Sequence, residues 1–242
     1  MKPIHILIST LLVVFSIPTH AQWGEKIKGN GNVVTENRDV AAYDEVHVNG
    51  NIDVVLVDGK EGKITLKAEG NFLEYIEISV KNDALKIKTK DRTELRPSIG
   101  KNILITVPVK DVHKLAINGS GEIEGKVTLN GNKIKLQVNG SGDMDVDLKA
   151  TDVTATVNGS GDINVTGKAD YFEAIVTGSG DIDGDELFVN ICKGKVVGSG
   201  DIKFQAKEKL DAKIIGSGDI EINESVIKIE KKIIGFGDVT KK

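Results

Sequence analysis

Seven acidic residues recur at one place in the chain: Glu122, Asp143, Asp162, Asp181, Asp201, Asp219 and Asp238 each follow a Gly-Ser-Gly triplet or, in the last copy, Gly235-Phe236-Gly237. The first glycines are separated by 21, 19, 19, 20, 18 and 19 residues. A fold that superposes the copies stacks these carboxylates at the strand spacing of about 4.8 Å. Ionised neighbours at that distance repel by about 1 kcal/mol even in water, so something must offset the ladder. Backbone N–H groups of each acid's own turn can do so. A hard cation such as calcium, held between adjacent carboxylates, is the alternative. The spacing differs from the GGxGxD of calcium-binding β-rolls, so hydrogen bonding within the turn is the expectation and no metal is assigned.

Other reactive side chains are few. Asp181-Ile182-Asp183-Gly184-Asp185 resembles the start of a calcium loop but lacks the glutamate twelfth in an EF-hand, and strand alternation accounts for it. His47 and His113 lie in alternating stretches with no nucleophile or metal partner nearby in sequence. Ser120, Ser141, Ser160, Ser179, Ser199 and Ser217 belong to the turn. No catalytic residue and no cofactor are therefore expected. Cys192 is the single cysteine, which forbids an intrachain disulfide and points to a small buried hydrophobe. Asn118, Asn139 and Asn158 share one repeat position, where amides can hydrogen-bond up a stack. That position then reads Thr177, Val197, Ile215 and Ile234, an apolar stripe that is either a contact surface for a partner or second copy, or covered by a terminal cap.

The elements that place these residues follow from the repeat. Two residues before the first glycine stands Ile117, Val138, Val157, Val176, Val196, Ile214 or Ile233, and four after it Ile123, Met144, Ile163, Ile182, Ile202, Ile220 or Val239. Alternation continues through Val146, Val165, Phe204 and Ile222, the period of a half-buried strand. One such repeat cannot bury its apolar side alone, whereas stacked coils share a continuous core. Each aliphatic then contributes about 1.5–3 kcal/mol before entropy is charged against it. Four residues before the glycine, Ala155, Ala174, Gly194 and Ala212 are small, as a flattened coil with close walls requires. The turn is assigned to Gly119, Gly121, Gly140, Gly142, Gly159, Gly161, Gly178, Gly180, Gly198, Gly200, Gly216, Gly218, Gly235 and Gly237, because a tight corner needs positive φ. Phe236 marks an atypical terminal coil.

Upstream, His47 to Val57 alternates, and Lys63 to Ala68, Tyr75 to Val80, Ala84 to Thr89 and Asn102 to Val109 read as strands. A Lys81-Asn82-Asp83 turn joins two of them, and Asp91 to Lys101 is a polar loop. Fainter echoes of the repeat are Gly29-Asn30-Gly31-Asn32-Val33 and Asn49-Gly50-Asn51-Ile52. The expected organisation is a signal peptide over 1–21, irregular amino-terminal coils or a cap over 22–116, and a regular β-solenoid over 117–242. The fold class is all-β.

The signal peptide rests on Lys2, an apolar run from Ile4 to Ile17, and Pro18-Thr19-His20-Ala21 before the cut. The run is too short to be a comfortable membrane anchor. Removing it shifts the formal charge from −4 to −5, and lysines alternate with acids throughout, so nucleic acid is not an expected partner. No strand set here builds an outer-membrane barrel.

Serial GSG-D-I motifs, the stretch DVVLVDGKEGKITLKAEGN from Asp53 to Asn71 and the phrase NDALKIKTK from Asn82 to Lys90 resemble the auto-transporter adhesin, head GIN domain family, from about Asn37 onward. The resemblance implies a right-handed parallel β-helix related in shape to pectin-lyase-like proteins, with the GSG corner between two sheets, and a role in adhesion at a Gram-negative surface. Without a translocator in this chain, the auto-transporter label is not expected to hold literally. The expected function is an exported, non-enzymatic envelope or surface protein binding a surface ligand, protein or glycan, with self-association as an alternative. The rivals are a structural envelope scaffold and a carbohydrate-active enzyme of the same shape; fold alone confers neither.

Overall fold

A computed structural model describes residues 24–223 and 226–241; the expected signal peptide lies outside the described residues. The repeat region consists of β10 (Lys114–Gly119), β11 (Glu122–Gly140), β12 (Asp143–Gly159), β13 (Ile163–Gly178), β14 (Ile182–Gly198), β15 (Ile202–Gly216), β16 (Ile220–Ile222), β17 (Lys228–Gly235) and β18 (Val239–Lys241). Before it come β1 (Glu25–Lys28), β2 (Val33–Asp39), β3 (Glu45–Gly50), β4 (Asp53–Asp58), β5 (Lys63–Glu69), a single 3-10 turn (Gly70–Tyr75), β6 (Ile76–Lys81), β7 (Ala84–Thr89), β8 (Thr93–Arg96) and β9 (Leu104–Val109).

Successive coils pair in parallel and in register, so Gly119, Gly140, Gly159, Gly178, Gly198, Gly216 and Gly235 lie in one column. The result is a β-solenoid of about 7 turns. Unequal repeat lengths are absorbed by register shifts, the largest between Gly184 and Phe188, where Asp185, Glu186 and Leu187 have no counterpart in the next coil. Both aliphatic ladders are buried from Ile117 and Ile123 to Ile214 and Ile220, while the last pair, Ile233 and Val239, is only partly covered. Cys192 is buried in the column of Val153, Phe172 and Leu210, and burial pushes its thiol well above the ordinary range.

The small residues four before the glycine have a specific cause. Phe172 and Phe204 meet edge to face with centroids 5.6 Å apart, and a Cβ on Gly194 would lie 2.8 Å from the Phe204 ring. At Gly194 the ring of Phe204 fills the space that a side chain would take, which preserves interior packing density.

Toward the amino terminus the parallel stack continues with altered connectivity. β3 lies against β10, aligning Gly50 with Gly119, and β4 lies against the start of β11. The chain then passes beneath this coil through β7 and β9, which pair in parallel with β3 and β4, and returns above it at β10. His47 to Val57, expected as one alternating run, is therefore two strands on either side of a corner. The free edge is turned over by antiparallel strands: β6 on β7, β5 on β9 and β2 on β5. A two-residue loop joins β6 to β7, with Asn82 and Asp83 both at positive φ, the conformation that matches hairpin twist. The loop expected over Asp91 to Lys101 contains β8, which pairs with β1. Among the described residues no helix is long and apolar enough to cross a membrane.

Candidate functional site: the acid corner and the outer faces

At each corner the two glycines answer to different constraints. The first, such as Gly159, has φ of 137°, where a side chain is strained. The second, such as Gly161, has ordinary φ, but a Cβ there would fall closer than 3.0 Å to the carbonyl of Gly142 in the preceding coil. The residue between them takes part through its backbone: Ser160 N–H donates to Gly140 O at 2.8 Å and Phe236 N–H to Gly216 O at 2.8 Å. Phe236 thus occupies a serine position without disturbing the corner, its ring outside at 96% exposure.

The acid ladder is stabilised mainly between coils, which corrects the expectation of bonding inside each turn. Among the described residues, only at the last corner does the carboxylate accept within its own turn, Asp238 Oδ1 from Val239 N–H at 2.7 Å. Asp181 N–H donates to Asp162 Oδ1 at 2.8 Å, Asp201 N–H to Asp181 Oδ1 at 2.7 Å, Asp219 N–H to Asp201 Oδ1 at 2.7 Å and Asp238 N–H to Asp219 Oδ1 at 2.7 Å. From Asp162 upward, the carbonyl of each aspartate also accepts from the aliphatic residue beneath, as Asp181 O does from Ile163 N–H at 3.0 Å. Stacking aims each carboxylate at the N–H directly above, whereas the turn's own N–H groups already bond to glycine carbonyls of the coil below. Such charge-assisted bonds outweigh the mutual repulsion of screened carboxylates.

Glu122 departs from this pattern. Asp143 N–H donates to Gly121 O at 3.2 Å instead. Desolvation first, then the carboxylates of Asp53, Glu124, Asp143 and Asp145, raise the Glu122 carboxyl above its ordinary range. Among the described residues no group of three or more His, Cys, Asp or Glu side chains is arranged to hold a metal. In the short acidic stretch, Asp183 accepts from Asp185 N–H at 3.0 Å and pairs with Lys203 at 3.1 Å.

The asparagines form the amide ladder anticipated for them, with one further member at the bottom. Asn118 Nδ2 donates to Asn49 Oδ1 at 2.9 Å, Asn139 to Asn118 at 2.8 Å and Asn158 to Asn139 at 2.9 Å. Beyond Thr177 the column turns apolar: Val197 and Ile215 are half-buried and Ile234 is exposed, so among the described residues no cap covers it.

Two features were not legible in the sequence. His47 and His113, 66 residues apart in the chain, both approach Glu45, at 2.7 Å and 3.5 Å, with Lys114 at 3.2 Å. Burial alone would raise Glu45, but hydrogen bonds from His47 and Lys114 hold it below the ordinary range. Glu69 is a buried carboxylate, 1% exposed. It accepts from Gly31 N–H, from Ser98 N–H at 2.9 Å and from Ser98 Oγ at 2.6 Å. The Gly29 to Asn32 echo therefore wraps a carboxylate instead of stacking as a corner. Desolvation would raise Glu69, and these bonds together with Lys101 hold it low.

A family model described as "Putative auto-transporter adhesin, head GIN domain" matches residues 42–225. Among solved structures, a "putative adhesin" from Bacteroides fragilis superposes with a TM-score of 0.80 at 23% identity, over 89% of this chain and 100% of that one. A "putative lipid binding protein" from Parabacteroides distasonis gives 0.75 at 24% identity, over 90% and 100%. A second "putative adhesin" from Parabacteroides distasonis gives 0.71 at 24% identity, over 90% and 100%. At these identities the likeness establishes a shared fold. No curated protein matches the sequence.

Proposed function

The chain belongs to the auto-transporter adhesin head GIN domain family, and from that premise we propose that it is an exported, non-enzymatic binding module of the cell envelope whose outer coil faces meet a surface ligand, protein or glycan. An adhesion-like role is what the family description suggests, and two of the three solved structures above are likewise described as adhesins. The observation that best supports the finer reading is the use made of the recurring polar groups. Corner aspartates and asparagines bond from coil to coil, so they build a rigid, regular array and single out no coil as a reaction centre. Binding sites on rigid elements lose little entropy on engagement.

Protease treatment of intact cells, followed by detection of the chain, tests export to the surface; protection inside intact cells with degradation after lysis places it within the envelope. Purified protein lacking residues 1–21 is expected to bind cells or a glycan array in a saturable way. If it binds neither, and deletion of the gene weakens the envelope, the scaffold reading replaces this one.

A further inference from the structure

One outer face carries a groove that the repeat signature does not explain. It has a volume of about 910 Å³ and runs across five coils, from Asn130 and Gly131 to Gln205 and Ala206. Register fixes its layout. The floor is the column Gly131, Ala150, Ala169, Val189 and Ala206, and one wall is the column Asn130, Lys149, Lys168, Phe188 and Gln205. The other wall includes Asp170, Asn190 and Lys207. Members of a column are about 4.8 Å apart, so the groove extends roughly 19 Å along the axis, perpendicular to the strands.

We propose that this groove binds a linear carboxylated polysaccharide lying along the solenoid axis, an inference that rests on the binding-module reading above and names its ligand class.

Three observations carry it. First, Lys149 and Lys168 are direct partners on adjacent strands, an arrangement of like charges that is unfavourable in itself. Several lysines elsewhere on the array are neutralised, as Lys193 is by Glu173 at 2.8 Å and Lys203 by Asp183 at 3.1 Å. A second stacked column, Lys195, Lys213 and Lys232, lies outside the groove and apart from the aromatic in its wall. Among the described residues, no ion pair forms at Lys149, Lys168 or Lys207, whereas the ion pairs of neighbouring faces are numerous. The wall thus has positive charge in excess of Asp170, in a chain whose total charge is −4. Second, Phe188 stands in this wall with 57% of its surface exposed, beside a floor too small to shelter it. An aromatic face flanked by hydrogen-bonding side chains suits the apolar face of a sugar ring. Third, the column spacing is close to the length of one pyranose unit in an extended chain, so each coil meets about one sugar, and the two adjacent lysines, Lys149 and Lys168, can meet carboxylates near the middle of the bound segment. A glycan with one carboxylate per sugar carries a lower linear charge density than a polyphosphate, and the few lysines of the groove match it better.

The test is calorimetric titration of the protein lacking residues 1–21 with hexagalacturonate, and with its methyl-esterified, uncharged form. Binding is expected for the acid, weakening with added salt, and at least about tenfold weaker for the ester. Lys168→Glu and Phe188→Ala should each reduce affinity by about tenfold or more, while Lys81→Glu, the same charge change on a remote turn, should leave it unchanged. Thermal melting of all three must match the parent, because each site is on the surface. Equal binding by Lys168→Glu, Phe188→Ala and parent overturns the proposal, as does an absence of binding to hexagalacturonate, hexaguluronate and hyaluronate oligomers. Displacement from phosphatidylglycerol vesicles in place of glycan binding assigns the groove to lipid and also overturns it. If parent and both groove variants adhere to cells equally, the groove inference falls and the binding-module reading stands; if the parent does not adhere, that reading falls.

Discussion

The two ends of the stack close differently. Below β7 and β9 the edges are covered by antiparallel strands β6, β5 and β2, held by single-use contacts. Arg38 donates to Leu73 O at 2.8 Å, Tyr43 Oη to Pro108 O, and the Glu69 carboxylate ties Gly31 to Ser98. Above β15 the stack proceeds to β17 and β18 by repeating the same bonds, with Ile234 and Phe236 exposed. The repeat array is thus stabilised by one backbone-dominated unit used many times, and the amino-terminal coils by unlike side-chain contacts used once. Damage should propagate differently: a fault in the unit blocks coil approach, whereas a fault in a clasp loosens one segment.

The largest effect is expected at the second glycine of a corner. In Gly180→Ala the new Cβ would fall closer than 3.0 Å to the carbonyl of Gly161, a backbone atom that cannot move without separating two coils. A loss of about 3 kcal/mol or more in denaturant unfolding is expected. Gly100→Ala, in the amino-terminal region, meets nothing within 4 Å and is strained only through its φ of 73°, so about 1 kcal/mol is expected there. Equal losses at the two sites would mean that the corners do not require close approach.

Glu69→Gln sharpens the other side of the comparison. The amide keeps acceptors for part of the network but loses charge and leaves buried donors poorly matched, at a cost of about 2 kcal/mol. Hydrogen exchange should accelerate at Gly31 and Ser98 and remain slow at Val157 and Val176. The pH dependence has a definite sign. Glu69 is held below its ordinary 4.5, so its stabilisation is complete above about that pH and is lost as the pH falls through the folded value, where the native state must also take up the proton. Glu122 is raised, so the folded state holds its proton to higher pH, and stability at that corner falls as pH rises through the window above 4.5. Melts of Glu69→Gln and parent should therefore converge in strong acid, while Glu122→Gln should lose the opposing trend just above pH 4.5.

The same contrast explains what the sequence disclosed. Aliphatic columns such as Val157, Val176 and Val196 were legible because a stacked solenoid copies one chemical environment into each coil, and the amide ladder was legible for the same reason. The direction of the aspartate bonds was not, because Asp162 has the same local sequence whether it bonds within its turn or to Asp181. Glu69 lies one residue past the stretch read as strand, Lys63 to Ala68, and its partners Gly31 and Ser98 are 38 and 29 residues away. The path from β4 beneath β3 to β7 and back to β10 leaves no mark in composition. The groove wall was missed because its column, Asn130, Lys149, Lys168, Phe188 and Gln205, repeats no one residue type, and only the pairing register aligns it.

Asp181→Ala is expected to cost about 1 kcal/mol, the value of one acceptor for an exposed N–H at Asp201. Asp181→Asn should recover most of this, since an amide oxygen can accept the same bond. Calcium added to the parent should leave its melting temperature unchanged. A calcium-dependent rise that disappears in Asp181→Asn would restore a cation to the ladder.

The smallest change is expected where the repeat looks most conspicuous. The serine of Gly-Ser-Gly contributes its N–H to a glycine carbonyl of the corner one coil below, and its side chain points outward at positions such as Ser199 and Ser217. Phe236 already occupies the equivalent position with its N–H bonded at 2.8 Å. Ser199→Phe in a central coil should therefore shift stability by no more than about 0.5 kcal/mol, although the residue recurs in six copies, while its added apolar surface should promote self-association measurable by light scattering. A loss comparable to that of Gly180→Ala would show that the hydroxyl, and not the backbone alone, holds the corner; a null effect on stability locates the structural information of the motif in its two glycines and its acid.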